Sequence, residues 1–307
     1  MLTVPALDGF PLAVQVHAPA GAPRAAVIVF GGTAIPQKLY RRFAAHLADE
    51  GLWVATFDYR GIGASRPEGP LRDFDANMKD WALEDARGVI RWARQLHPEL
   101  PLVGVGHSFG AQLIGLVDEF GQLDAMVSVA GQLGGTRHWP VAHRIPLRIM
   151  WHVVAPTLTR TLGYYPGIVG LNGVDLPAGV AREWAEWCRS PRYYVDHEPS
   201  AKARLAAFRV PTLMWSFGDD AYAPPAAVDA FERRLVSAPL SHVRMHAEDV
   251  GLRRIGHFGF FRTPMQPAWD QVVRFLDDAI GGRFVPRRPP LTPTVEEVMA
   301  DLTFGWS

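Results

Sequence analysis

The stretch Leu102-Val103-Gly104-Val105-Gly106-His107-Ser108-Phe109-Gly110-Ala111-Gln112 decides the fold of this chain. Its first half is an apolar run typical of a buried strand, and its second half continues in the pattern of a helix. Glycines at 106 and 110 lack the side chains that would otherwise clash between the strand and the helix. A strand, a sharp turn and a helix in this order hold a serine at the edge of the sheet in a strained conformation. The context therefore predicts that Ser108 is a nucleophile.

Composition and charge narrow the class of protein. The 307 residues are 48% hydrophobic, which is enough for a large core in one domain that carries an insertion. The 31 basic and 31 acidic residues cancel, so we expect no nucleic-acid partner and no attraction to an anionic membrane surface. A small neutral substrate is the simplest expectation. We expect no metal and no other cofactor, and the sequence leaves open whether the chain forms a homo-oligomer.

The sequence also carries signals about location. Residues 1–5 lack the basic and long apolar segments of a signal peptide, and Cys188 has no second cysteine with which to form an intrachain disulfide. The longest candidate for a membrane span, residues 149–171, is interrupted by His152, Pro156, Arg160 and Pro166. These features predict a cytoplasmic protein without a membrane span.

Strand and helix patterns alternate over most of the chain. Before residue 131, strand patterns at 25–30, 52–57, 102–107 and 124–130 alternate with helical patterns at 38–50 and 78–96. After residue 200, strand patterns at 210–217 and 240–247 alternate with helical patterns at 224–235 and 267–280. A hairpin is predicted at residues 2–18, around Asp8-Gly9. The alternation predicts an α/β protein with a mostly parallel sheet and helices on both faces.

The alternation stops between residues 131 and 200, which are rich in aromatic side chains. Helical patterns at 146–162 and 180–188 predict a helical cap inserted into a core made of residues 1–130 and 201–282. We expect Trp139, Trp151 and Tyr164 of this cap to contact substrate. The alternative is a packed subdomain whose aromatic side chains are all core. Residues 283–307 form a tail, in which a capping box at Thr294 predicts a short helix.

A serine nucleophile needs a base and a carboxylate that orients the base. In this topology the acid follows a late strand and the histidine follows the last one. His257 alone among the eleven histidines lies in a glycine-flanked loop after the last predicted strand. Asp219 and Asp220 both follow the strand at 210–217, so both are candidates for the acid. His107 is predicted to be a packing or helix-capping residue.

Three further segments carry a family resemblance. They are Gly31-Gly32-Thr33-Ala34-Ile35-Pro36-Gln37, Phe57-Asp58-Tyr59-Arg60-Gly61 and Gly256-His257-Phe258-Gly259. Together with the serine turn they resemble the α/β-hydrolase superfamily, and more narrowly predicted bacterial hydrolases of the serine aminopeptidase and monoacylglycerol lipase-like branch. The resemblance spans about residues 2 to 280. One departure is that Gly31-Gly32 stands where the family usually has His-Gly.

The resemblance implies roles for individual residues. In such hydrolases the acid usually stands four residues before a proline that opens a helix, which here is Pro224 and favours Asp220 over Asp219. The oxyanion hole is expected to use the backbone N–H groups of Phe109 and Thr33, with Ala34 almost equally placed for the second.

The function implied is a serine hydrolase that cleaves a carboxylic ester through an acyl-enzyme, with a triad of Ser108, His257 and Asp220. Three alternatives stay open. An amidase or peptidase would need acidic groups in the cap, for which Asp175, Glu183 and Glu186 are available. The others are acyl transfer to an acceptor other than water and a non-catalytic binding protein of the same fold.

Overall fold

The structure, a computed structural model, describes residues 1–170 and 173–286, and a sheet of eight strands forms its centre. These strands are β1 (Leu2–Pro5), β2 (Pro11–His17), β3 (Ala26–Phe30), β4 (Trp53–Phe57), β5 (Leu102–His107), β6 (Ala125–Val129), β9 (Thr212–Phe217) and β10 (Leu240–Met245). Strands β7 (Tyr164–Tyr165) and β8 (Leu176–Pro177) pair with each other in a separate two-stranded sheet.

The large sheet is mostly parallel, as the alternating pattern predicts. Its strands lie in the order β1-β2-β4-β3-β5-β6-β9-β10. Pairs β1/β2 and β2/β4 are antiparallel, and every other pair is parallel. The predicted hairpin forms around Gly9, which adopts a φ of 88°. Because the parallel strands run in one direction, the loops after β3, β5, β9 and β10 meet at one edge of the sheet.

The helices in the described residues include those that cover the sheet and those of the segment at 131–200. They are α1 (Arg41–Asp49), α2 (Met78–Asp80), α3 (Arg87–Leu96), α4 (Phe109–Gln112), α5 (Val141–Ile149), α6 (Ala155–Thr161), α7 (Ala178–Arg189), α8 (Ala201–Ala207), α9 (Pro225–Glu232) and α10 (Gln266–Ile280). Wide π-type turns at Trp81–Ala86 and Met150–Val154 join α2 to α3 and α5 to α6.

Every residue of β3, β4, β5 and β6 is buried. Successive side chains of a strand point to opposite faces, so complete burial requires cover on both faces of the sheet. Helix α1 packs against α10 and β4, α10 also packs against β6, and α3 packs against β1 and β3. The predicted α/β class is therefore confirmed.

The segment at 131–200 is helical, with one boundary that differs from the sequence prediction. Its first helix begins at Val141, after Pro140, and contains Pro146 in its interior. The sequence prediction began at Pro146, whereas the helix has Pro140 as its N-cap, and proline is tolerated at a helix start because it lacks a backbone N–H.

Two further expectations concern a membrane span and the C-terminal tail. No helix within the described ranges combines the length and the apolar character needed to cross a bilayer. The short helix predicted from Thr294 lies outside the described residues.

Candidate active site

Ser108 lies at the sharp turn between β5 and α4. Its backbone has φ 54° and ψ −114°, a conformation that costs a non-glycine residue about 1–3 kcal/mol. Its N–H donates to the carbonyl of Val129 at 2.9 Å, which ties the turn to the neighbouring strand. A Cβ on Gly106 would lie 2.5 Å from the amide nitrogen of Ala111, and one on Gly110 would overlap the carbonyl of Phe30. Both glycines are therefore required by the close approach of strand and helix.

The loops after β9 and β10 bring Asp220 and His257 together. Nδ1 of His257 lies 2.7 Å from Oδ2 of Asp220, and both side chains are almost completely buried. The other carboxylate oxygen of Asp220 accepts from the N–H groups of Tyr222 at 2.8 Å and Ala223 at 2.9 Å. Three hydrogen bonds thus fix the orientation of this carboxylate, and a carboxylate at Nδ1 leaves Nε2 as the free nitrogen of the imidazole.

Asp219 has a different set of partners. Its two carboxylate oxygens accept from the N–H groups of Ile255 and Gly256, each at 2.9 Å. These residues directly precede His257, so Asp219 holds the backbone of the histidine loop rather than the imidazole. Adjacent aspartates at the end of β9 therefore support the same histidine in two different ways.

Ser108 and His257 line the same small cavity, of about 50 Å³. Ser108 is 8% exposed, so its environment is close to dry. Thr33 and Ala34 also line this cavity. Within the described residues, no hydrogen bond uses the N–H groups of Thr33, Ala34 or Phe109. These amides are available to a bound oxyanion, and Thr33 and Ala34 remain equal candidates for the second donor.

Several other side chains line this small cavity although the sequence does not predict them. Tyr222 and Phe258 flank it, each within two residues of a triad candidate, and Gln132 and Tyr193 come from the segment after β6. Tyr222 lies with its ring centroid 5.4 Å from that of His257. Tyr222 and Phe258 could have been predicted from their proximity in sequence to Asp220 and His257.

A second, larger cavity of about 440 Å³ is lined mostly by residues of the segment at 131–200. It shares Gln132, Gly170, Trp184 and Tyr222 with the small cavity, so the two adjoin. Its lining is mostly apolar and includes Trp139, Leu147, Met150, Trp151, Tyr165, Val169, Cys188 and Arg254. This volume is within the range of pockets that bind small organic ligands.

The three cap residues predicted to contact substrate are placed differently. Trp139 and Trp151 line the larger cavity, but Tyr164 lines neither cavity. Its neighbour Tyr165 does, because successive residues of a strand point to opposite faces. Trp139 also donates its Nε1–H to the carbonyl of Ala221 at 2.9 Å, which ties the segment at 131–200 to the loop that carries Asp220.

One group of side chains has the spacing of a metal site. Ligand atoms of Asp229, Glu232 and His242 lie within 4.8 Å of one another. His242, however, bonds Glu232 through Nδ1 and Ser216 through Nε2, each at 2.7 Å. Arg244 forms an ion pair with Asp229. Since both imidazole nitrogens are engaged and a guanidinium already neutralises one carboxylate, we assign no metal to this group.

The lowered pKa of His138 predicts that the stability of the fold depends on pH. Burial, followed by the nearby guanidinium groups of Arg137, Arg144, Arg233 and Arg234, lowers the pKa of His138 to about 4. In the unfolded chain a histidine has a pKa of about 6.5. Between these values the unfolded chain binds a proton that the folded chain does not, so stability present above about pH 6.5 is lost as pH falls toward 4.

We expect His138→Gln to reduce this acid sensitivity. The measurement is urea unfolding of the wild type and the variant at about pH 7 and about pH 5. The wild type should lose more free energy of unfolding between the two pH values than the variant loses. Equal losses would show that His138 is not the group that titrates.

Comparisons with known proteins agree with this architecture. The family model described as serine aminopeptidase, S33, matches residues 21–165, just under half of the chain. No curated protein matches the sequence.

Several solved structures are similar over most of the chain. Est1E from Butyrivibrio proteoclasticus, with ferulic acid bound, is 15% identical, with a TM-score of 0.60 over 92% of this chain and 100% of that one. A thermophilic esterase from Thermogutta terrifontis is 18% identical, with a TM-score of 0.56 over 91% and 98%. A serine hydrolase homologue from Coxiella burnetii is 17% identical, with a TM-score of 0.54 over 90% and 96%. The chain has the α/β-hydrolase fold, and its residues 21–165 are similar to the serine aminopeptidase family.

Proposed function

We propose that the protein hydrolyses carboxylic esters through an acyl-enzyme on Ser108. The observation that carries the proposal is the 2.7 Å contact between Asp220 and His257 beside a strained serine in a shared cavity. Acyl transfer requires a carboxylate that orients the imidazole and a serine that is exposed at the turn after a strand.

The chemistry follows from these positions. Nε2 of His257 takes the proton of Ser108 as its Oγ attacks the ester carbon, and Asp220 stabilises the imidazolium that forms. The N–H groups of Phe109 and of Thr33 or Ala34 donate hydrogen bonds to the negatively charged oxygen that forms from the carbonyl. His257 then gives its proton to the leaving alkoxide, and the acyl group remains on Ser108. Water activated by His257 hydrolyses this acyl-enzyme and regenerates the serine.

The cap favours an ester over an aminopeptidase substrate. A substrate with a free amine needs a carboxylate to hold it, and no aspartate or glutamate lines either described cavity. Asp175 accepts from the N–H of Gly167 and pairs with Arg66, and Glu183 accepts from the N–H of Lys79. Glu186 lies 3.8 Å from His197. The three acidic residues that could have marked a peptidase therefore serve the cap itself or its surface.

A paired assay tests the choice between ester and amide. We expect a series of p-nitrophenyl esters to be cleaved with a much higher kcat/KM than aminoacyl p-nitroanilides that carry a free amine. Faster cleavage of the anilides would favour the peptidase alternative. Absence of both activities, in protein whose Ser108 does not react with a fluorophosphonate, would favour a non-catalytic binding protein.

The larger cavity is proposed to hold the apolar part of the ester. Each methylene buried there contributes about 0.8 kcal/mol, so kcat/KM should rise about fourfold per added carbon until the cavity is full. Trp151, which packs against Trp184 with ring centroids 4.8 Å apart, limits this cavity. We expect Trp151→Ala to move the optimum of the ester series to longer chains.

Tyr164→Ala is the matched control, because Tyr164 belongs to the same cap and lines neither cavity. It should leave the chain-length profile unchanged, and both variants should react normally with a small fluorophosphonate. A profile that stays flat in Trp151→Ala would contradict the assignment of the cavity. Trp139→Ala is a less direct test, since Trp139 also anchors the loop of Asp220.

A further inference from the structure

A row of buried polar groups lies behind the catalytic candidates. The N–H of Gly32 is 3.0 Å from the hydroxyl of Tyr40, and this hydroxyl is 2.9 Å from Nδ1 of His107. Nε2 of His107 is 2.9 Å from the backbone carbonyl of His257. The Tyr40 and His107 side chains are at most 1% exposed. From its place in the sequence, only a packing or helix-capping role is predicted for His107.

The direction of each hydrogen bond follows from the chemistry of its ends. A carbonyl oxygen can only accept, so Nε2 of His107 must donate to His257. Burial holds the pKa of the His107 imidazole well below its usual range, so the ring is neutral and Nδ1 is an acceptor. Burial also raises the pKa of Tyr40, whose hydroxyl stays protonated and donates to Nδ1. The same hydroxyl oxygen accepts from Gly32.

These bonds join three segments that are distant in sequence. Gly32 directly precedes Thr33, a candidate donor of the oxyanion hole, and a Cβ on Gly32 would lie 3.1 Å from the Cβ of Ser108. His107 directly precedes Ser108. In the third segment, the carbonyl that accepts from His107 belongs to His257 itself. Neither Tyr40 nor His107 lines the cavity that Ser108 and His257 share. Their side chains therefore act on the site from behind, without contact with substrate.

We propose that Tyr40 and His107 are positioning residues that hold the oxyanion loop, the serine turn and His257 at catalytic spacing. The proposal rests on the proposed function, because it concerns the geometry of that same triad and oxyanion hole. A satisfied chain of buried hydrogen bonds is rigid, and a displacement of about 1 Å in catalytic groups can cost about 100-fold in rate.

Tyr40→Phe isolates the hydroxyl from the ring. The ring packs against Phe261 at a centroid distance of 4.7 Å, and phenylalanine keeps this contact. Without the hydroxyl, Gly32 loses an acceptor and His107 loses a donor. We expect kcat for a short ester to fall about 10- to 100-fold while KM changes less than about twofold. Affinity for a boronic acid, which mimics the tetrahedral intermediate, should fall in parallel with kcat/KM.

Tyr59→Phe is the matched control. Tyr59 is also fully buried, and its hydroxyl has no hydrogen-bond partner within the described residues. Its removal should leave kcat and boronic acid affinity at wild-type values. Rates should be expressed per active site, counted by fluorophosphonate labelling, so that misfolded protein does not lower the apparent kcat.

A second pair of variants tests the histidine. Glutamine offers an acceptor oxygen and a donor NH₂ group, and neutral imidazole offers one acceptor and one donor nitrogen, so His107→Gln should retain at least about tenfold more kcat than His107→Leu. Wild-type kcat per active site in Tyr40→Phe, or equal kcat in the two His107 variants, would overturn the proposal. If the wild type itself lacks Ser108-dependent esterase activity, the proposed function fails and takes this inference with it. If it has that activity and Tyr40→Phe keeps all of it, the inference fails alone.

Discussion

Replacing Ser108 by alanine is expected to lower kcat for ester hydrolysis by about 10⁵- to 10⁶-fold. The reason is that Ser108 is the residue held at the strained turn after β5, in the cavity that it shares with His257. The fold should survive, because the N–H of residue 108 still donates to Val129 and the turn is fixed by its neighbouring glycines. The measurement is hydrolysis of a short p-nitrophenyl ester, with far-UV circular dichroism as the check on folding.

Ser128→Ala is the matched control for this variant. Ser128 is buried on β6, the strand next to β5, and its hydroxyl has no partner within the described residues. We expect wild-type kcat from it. If Ser108→Ala retained more than about a tenth of the wild-type activity, the nucleophile would have to be another residue.

The second large effect separates the two aspartates. Asp220→Asn is expected to lower kcat about 10⁴-fold, because an amide NH₂ facing Nδ1 of His257 favours the tautomer with its proton on Nε2. A ring in that tautomer cannot accept the proton of Ser108. The backbone contacts of Asp220 with Tyr222 and Ala223 can be kept by the remaining amide oxygen, so the loop should stay in place.

Asp219→Asn is the natural comparison. It removes one of two acceptors for the N–H groups of Ile255 and Gly256, so it should loosen the histidine loop and cost some stability. We expect kcat to fall by roughly tenfold or less, since the imidazole keeps its own carboxylate. Steady-state kinetics and urea unfolding of both variants distinguish the two roles. The reverse ranking in kcat would move the orienting role to Asp219.

Much of the fold follows from local sequence patterns. The strands β3, β4 and β5 are short apolar runs bounded by polar or glycine-rich turns, and burial on both faces is what such runs require. The serine turn is equally local, because Gly106 and Gly110 must lack a Cβ for strand and helix to approach. The position of His257 after the last strand follows from topology. For these reasons the sheet and the candidate triad could be predicted from the sequence.

Features that depend on contacts between distant segments could not. His107 is one residue from the nucleophile, yet its partners Tyr40 and His257 are 67 and 150 residues away. The choice between Tyr164 and Tyr165 depends on the register of a two-residue strand, where a shift of one position exchanges the two faces. The different duties of Asp219 and Asp220 likewise appear only when the histidine loop is placed beside them.

The most direct test of the account is to trap the nucleophile. Wild-type protein should be treated with a fluorophosphonate, analysed by intact-mass spectrometry and then mapped by peptide sequencing. We predict one phosphonyl group per chain, located on Ser108, with loss of esterase activity in proportion to labelling and no adduct on Ser108→Ala. A chain that hydrolyses esters but carries the adduct on another residue, or none at all, would contradict the assignment of Ser108 as the nucleophile.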